Sequence, residues 1–132
     1  MHRSRLCGFI VDCQTPDLDE AAGFWSAALG MPCAGRNGET YERLDGSARD
    51  LDVEVQRVDH PSRVHLDIET DDIEAEVARL QRLGARRIGP VKTWCVMEAP
   101  TGQRFCVVRG RDLEHKRGVN VWDDVAPDAA TG

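Results

Sequence analysis

The segment Ile10-Val11-Asp12-Cys13-Gln14-Thr15-Pro16-Asp17 returns as His65-Leu66-Asp67-Ile68-Glu69-Thr70-Asp71-Asp72, at an offset of 55 (65 − 10), with Asp, Thr and the final Asp coinciding. A repeat of this kind constrains the fold more than any single motif, because both copies must build the same supersecondary unit. Each copy runs into an amphipathic helix that stops at Leu-Gly, at Leu29-Gly30 and again at Leu83-Gly84, where the offset has dropped to 54 (83 − 29). In the first copy Asp17 and Glu20 make a capping-box-like start, and Ala21, Phe24, Trp25, Ala28 and Leu29 recur at helical spacing. Gly30 suits the left-handed position just past a helix end. In the second copy Asp72 caps, Ile73, Val77, Leu80 and Leu83 form the apolar stripe, and Gly84 ends it.

Strand patterning surrounds these helices. Phe9, Val11 and Cys13 alternate with Ile10, Asp12 and Gln14, as a strand with two different faces requires. Later β-like runs are Thr40 to Leu44 and Leu51 to Val58 in the first half, with a weakly marked strand near Cys33 to Arg36. The second half offers Arg86 to Val91, Trp94 to Met97 and Arg104 to Val108. Asp45-Gly46 and Thr101-Gly102 supply turn chemistry between them. The order is β-α-β-β-β, twice. The tail after Gly110 has little periodicity, and its end, Asp123 to Gly132, is expected to be mobile.

A chain of 132 residues suits one domain with a real core. A net charge of −6 argues against a general nucleic-acid binder, which needs a clustered basic surface. The short apolar stretch Phe9 to Val11, broken by Asp12, is no signal peptide, and no run is long enough to span a bilayer. No membrane partner is expected, and a cytoplasmic location is the default. Cys7, Cys13, Cys33, Cys95 and Cys106 are odd in number and contain no CxxC pair, so they read as reduced, mostly buried thiols.

Several stretches together resemble the vicinal oxygen chelate superfamily, which includes glyoxalase I, extradiol dioxygenases and bleomycin-resistance proteins, and most closely its glyoxalase-like domains. They are Thr15-Pro16-Asp17 leading to Phe24-Trp25 and Leu29-Gly30, then Val64-His65-Leu66-Asp67, Leu83-Gly84-Ala85, and Pro100-Thr101-Gly102-Gln103-Arg104-Phe105-Cys106-Val107-Val108. The resemblance covers roughly Leu6 to Arg109. It implies an α+β fold, two tandem βαβββ modules forming a cup-shaped mixed β-sheet around a cleft, with the helices on the outer face and a homodimer often completing it. The expected layout is a domain over residues 1–110, with modules over about 6–58 and 63–109, and a partly mobile extension over 111–132.

In metal-using relatives the ligands sit on the first and last strands of each module. Carried over, those positions fall on Ile10, which cannot ligate, on His65, which can, and on Cys106, where relatives commonly have glutamate. The fourth lies along Asp52, Glu54 or Gln56, in a register the sequence leaves open. Asp-Pro-x-Gly-Asn in the family is Ala99-Pro100-Thr101-Gly102-Gln103 here.

Strand alternation turns His65 and Asp67 toward the cleft, together with Ile10, Asp12, Gln14, Cys106 and Val108, and leaves Leu66 and Ile68 for the helix to cover. A lone strand histidine is more often a hydrogen-bonded structural residue; the resemblance gives His65 a case for a role in the cleft. A divalent metal (Zn²⁺, Ni²⁺ or Fe²⁺) would need His65, Cys106 and Asp52 or Glu54. Cys106 also reads as a small buried hydrophobe. A thiol nucleophile activated by His65 is a further option. Trp25 reads as core, Trp94 as a flat pocket wall, and Trp122 as a group that docks on a dimer partner.

The leading expectation is a homodimeric protein that binds a small organic molecule without a complete metal site, its ligand-binding residues being Ile10, Asp12, His65, Asp67, Trp94 and Cys106. The alternatives are a metal-dependent lyase, isomerase or dioxygenase, with His65, Glu54 and Cys106 as candidate catalytic groups, and a drug-sequestering resistance protein. For the last, Asp12, Asp52, Glu54 and Asp67 would attract a cationic compound.

Overall fold

A computed structural model describes residues 1–124. Among the described residues are two α-helices and nine strands, which make the chain mixed α+β. Its contacts divide it into two compact units, Cys7–Leu66 and a second made of Met1–Leu6 with the chain from Asp67 onward. Two strands, β1 (His2–Gln14) and β5 (Arg63–Thr70), each contribute one half to either unit.

In the Cys7–Leu66 unit, β1 is followed by α1 (Leu18–Leu29), β2 (Cys33–Asn37), β3 (Tyr41–Leu44) and β4 (Asp52–Val58). β1 lies parallel to β4, from Gly8 opposite Asp52 to Gln14 opposite Val58, while β3 runs antiparallel to both β4 and β2. The Asp17 carboxylate accepts the Glu20 backbone N–H at the start of α1, and Gly30 closes it at φ 66°, a conformation that favours glycine. The core joins Leu18, Met31, Leu44, Val53 and Val55, with Phe9, Cys13, Ala21 and Trp25 packed around them. Trp25 is therefore core, as expected. Phe24 is not: one position round the helix from Trp25, it is 61% exposed and meets that ring edge-on. Leu29 and Ala28 also point outward, so the buried stripe runs through Leu18, Ala21, Ala22 and Trp25 instead.

The second unit repeats the plan. After Asp67–Thr70 of β5 come α2 (Ile73–Arg82), β6 (Arg86–Arg87), β7 (Trp94–Glu98) and β8 (Arg104–Arg109). β5 lies parallel to β8, and β7 runs antiparallel to β8 and to β6. Asp72 caps α2 by accepting the Ala75 N–H, and the core gathers Ile73, Val77, Leu80, Cys95, Met97 and Val107. The run expected from Arg86 to Val91 yields only two strand residues, since Gly89-Pro90 breaks the pattern and a proline has no N–H to pair. Leu83 lies past the last helical residue and is 66% exposed, outside the stripe assigned to it.

The described part of the extension, residues 111–124, contains regular structure. Leu113 is buried, and β9 (Asn120–Trp122) pairs antiparallel with His2–Ser4 of β1. Trp122 packs within its own unit, donating its indole N–H to Ser4 Oγ at 2.9 Å and lying under the Arg79 guanidinium at 4.0 Å. That accounts for its burial without a dimer partner. Of the end expected to be mobile, Asp123 and Asp124 are described, and residues 125–132 lie outside the described part. Two of the five cysteines are buried, two are intermediate and Cys33 is exposed; all five are free thiols. No helix among the described residues is long and apolar enough to cross a membrane.

Candidate functional site

Because Phe9, Cys13, Val53 and Val55 pack with α1, alternation places Ile10, Asp12, Asp52, Glu54 and Gln56 on the side of the strands away from that helix. Tyr41 and Arg43 of β3 stand opposite Gln56 and Glu54. The Gln56 amide donates to the Tyr41 hydroxyl at 3.0 Å. His65 comes to the same group from β5. Its Nδ1 lies 2.7 Å from Asp12 Oδ2, with the Asp12 side chain 2% exposed and His65 16%. Arg63 Nε approaches the same oxygen to 3.8 Å. Burial, followed by the neighbouring charge of Asp52, pushes the Glu54 carboxyl above the usual range, against the opposing influence of Arg43 and His65. One unit thus supplies an imidazole held by a buried carboxylate and a carboxyl shifted toward its protonated form. These are groups suited to hydrogen bonding and proton exchange with a small ligand.

The second unit has a comparable helix-free side. Ile68, Phe105, Val107, Cys95 and Met97 face the α2 core, which leaves Asp67, Cys106, Val108, Trp94 and Val96 opposite. Cys106 is the register partner of Asp67 and of Val96, and it is only half-buried. Trp94 is 47% exposed, and the Lys92 ammonium stands 6.0 Å from its ring centre. Leu66, assigned to the helix-covered side, is 50% exposed; Ile68 alone of that pair reaches the core.

The strand register settles which residue of the first half corresponds to Cys106. Asp67 pairs with Cys106, and its repeat counterpart Asp12 pairs with Gln56. Glu54, by contrast, stands beside Ile10. The positions that the resemblance implies for metal ligands therefore fall on Ile10, Gln56, His65 and Cys106, of which Ile10 offers no donor atom. Ile10 is a hydrocarbon with 5% exposure, and the Gln56 amide is engaged with Tyr41. Among nearby groups, Asp12 was expected only to line the cleft; its bond to His65 joins residues 53 apart in sequence, and no periodicity announces it.

A family model described as a glyoxalase-like domain matches residues 8–108. The chain belongs to the glyoxalase-like domain family. No curated protein matches this glyoxalase-like chain. Solved structures share its fold at low identity and include members of the vicinal oxygen chelate superfamily. A hypothetical protein from Bacillus halodurans is 12% identical with a TM-score of 0.63, over 83% of this chain and 96% of that one. Methylmalonyl-CoA epimerase from Mycobacterium tuberculosis is 14% identical at a TM-score of 0.60, covering 80% and 87%. Homoprotocatechuate 2,3-dioxygenase from B. fuscum is 17% identical at 0.56, over 80% of the glyoxalase-like chain and 32% of that larger protein. Identities this low carry the fold and not the activity.

Proposed function

We propose that this glyoxalase-like protein binds a small organic molecule on the helix-free side of its strands, without the complete metal set of its metal-using relatives, and that it works as a homodimer. The observation that carries the reading is Ile10. A buried aliphatic side chain occupies the position whose repeat counterpart is His65, while next to it the His65–Asp12 pair and Glu54 keep polar chemistry available. In the other unit, taken by itself, Trp94 offers an exposed flat surface that suits an aromatic or conjugated ligand.

A thermal-shift screen of small aromatic and carbonyl compounds tests this. A true ligand at one hundred times its dissociation constant stabilises the fold by about 2.7 kcal/mol, and that gain is expected to vanish in His65→Ala while the unliganded variant stays folded. A library without a hit, or a hit indifferent to His65→Ala, contradicts the proposal. The cationic-drug reading differs in requiring ligands of positive charge, so the charge of the hits separates it from the first.

One observation favours a metal-dependent reading. Asp67 and Cys106 are register partners, and His65 precedes Asp67 by two residues on the same strand, so donor types acceptable to zinc occur along β5 and β8. Stoichiometric metal uptake would be its signature.

A further inference from the structure

We infer that the Cys7–Leu66 unit carries a second small-molecule site, at the end where the parallel strands β1 and β4 finish side by side. There Arg57 binds an oxyanion, a carboxylate or a phosphate, on a molecule that also offers a hydrogen-bond donor to Asp59. The site uses none of the residues on which the proposed function rests.

The last register pair of the two strands is Gln14 opposite Val58. Just beyond it lies a cavity of about 290 Å³, lined by Gln14, Thr15, Pro16, Arg57, Val58 and Asp59, all within the one unit. The carboxyl ends of parallel strands are where open sheets gather ligands, because the chain leaves each strand there in its own direction and opens a crevice. The volume sits at the small end of ligand cavities and suits a molecule of a few heavy atoms.

The walls are braced without a ligand. The Gln14 side-chain amide donates to the Asp59 carbonyl oxygen at 2.8 Å, and the Gln14 backbone N–H donates to Ser62 Oγ at 3.0 Å, which ties the chain leaving β1 to the chain leaving β4. On the other wall the Thr15 hydroxyl accepts the Asp17 N–H at 3.1 Å.

The charged groups of the lining are left over by this bracing. The Arg57 backbone N–H is bonded to the Thr40 carbonyl at 2.8 Å, but its guanidinium has no hydrogen bond or ion pair among the described residues, and neither has the Asp59 carboxylate. Arg36 and Arg63 of the same unit do have carboxylate partners. An unpaired arginine on a flat surface would mean little. Arg57 is the one cation lining a preformed cavity and Asp59 the one anion, so the cavity presents a fork of donors beside an acceptor that takes hydrogen bonds only. The start of α1 does not compete for the oxyanion, since Asp17 caps it and Asp19 and Glu20 already supply negative charge to its first turn.

The test is a set of ¹H–¹⁵N shift titrations of the full chain with inorganic phosphate, L-lactate and acetate, at constant ionic strength. Saturable shifts are expected at the Gln14, Thr15 and Asp59 amides, with a dissociation constant on the order of 1 mM for so small a molecule. Whichever of phosphate and lactate binds more tightly names the oxyanion. Lactate should bind about fivefold more tightly than acetate, because its hydroxyl donates to Asp59, and Asp59→Asn should erase that preference. Arg57→Gln should weaken binding about tenfold by removing the charge-assisted hydrogen bonds. The Arg57 side chain is exposed and unbonded, and the rest of the spectrum reports that the variant is folded.

His65→Ala should leave these titrations unchanged. Absence of saturable shifts with all three probes overturns the inference, as do shifts that survive in Arg57→Gln or vanish in His65→Ala. Equal affinities for lactate and acetate overturn the role of Asp59. A thermal-shift screen without a hit dependent on His65 would remove the proposed function and leave this site standing.

Discussion

Glu76→Ala is expected to lower folding stability by about 3–5 kcal/mol, the usual cost of removing one partner from a buried ionic network. Glu76 is fully buried on α2, bonded to His2 Nε2 at 2.8 Å and to Arg79 through two contacts of 2.8 Å, and His2 is 1% exposed. Asp124 takes the other imidazole nitrogen of His2. Without the Glu76 carboxylate, a buried histidine and a mostly buried guanidinium lose their acceptor together. The network also carries a pH signature. Desolvation is the largest single influence and pushes the Glu76 carboxyl up, but hydrogen bonds from Arg79, His2 and Ser4 together hold it below the ordinary glutamate range. A carboxyl depressed in the folded state stabilises above its unfolded value and loses that contribution as pH falls through the folded one. Wild-type stability should therefore drop in acid below the normal glutamate range, and the urea midpoint of Glu76→Ala should be flatter over the same window. A loss under about 1 kcal/mol, the scale of an exposed pair, would show that the network contributes little.

The second large effect belongs to the backbone. A Cβ added at Gly8 would sit 1.7 Å from the Asp52 carbonyl oxygen and 2.6 Å from its carbon, so Gly8→Ala cannot be accommodated while β1 and β4 keep their register. The expected cost is at least about 3 kcal/mol, the upper end for overpacking, because backbone and not a flexible side-chain tip must move. Gly23→Ala is the internal control. Nothing lies within 4 Å of its added Cβ, and alanine in a helix interior gains roughly 0.5–1 kcal/mol over glycine. Chemical denaturation of both variants gives opposite signs if the close approach is real, and similar midpoints if it is not.

Much of the fold was legible in the sequence because its signals are local. The 55-residue repeat, the Asp17 and Asp72 caps and the glycine after α1 each depend on neighbours a few positions away, and the observed elements follow them closely. Alternation along Phe9 to Gln14 also separated the helix-facing residues from the polar ones correctly. What escaped was set by tertiary pairing. The match of Gln56 to Cys106 depends on the β1–β4 and β5–β8 registers, and a strand pattern of period two cannot distinguish Glu54 from Gln56. Phe24 and Leu66 carry the apolar character expected of core positions, yet the packing of the helices leaves both exposed. β9 is three residues long in a tail without periodicity, and His2 and Glu76 are 74 residues apart, so neither had a sequence signature. At the candidate site His65 and Asp12 were each legible as polar and helix-free, but not as partners. The short bond between them comes from the later half of β1 and the first half of β5 folding into the same unit.

The central claim, ligand binding without a complete metal site, is tested most directly by calorimetric titration of the chelator-treated protein with Zn²⁺, Ni²⁺ and Fe²⁺, in wild type and His65→Ala. The result predicted from Ile10 and Gln56 is no tight stoichiometric uptake that depends on His65. Tight binding of one ion per chain, abolished in His65→Ala, would contradict it.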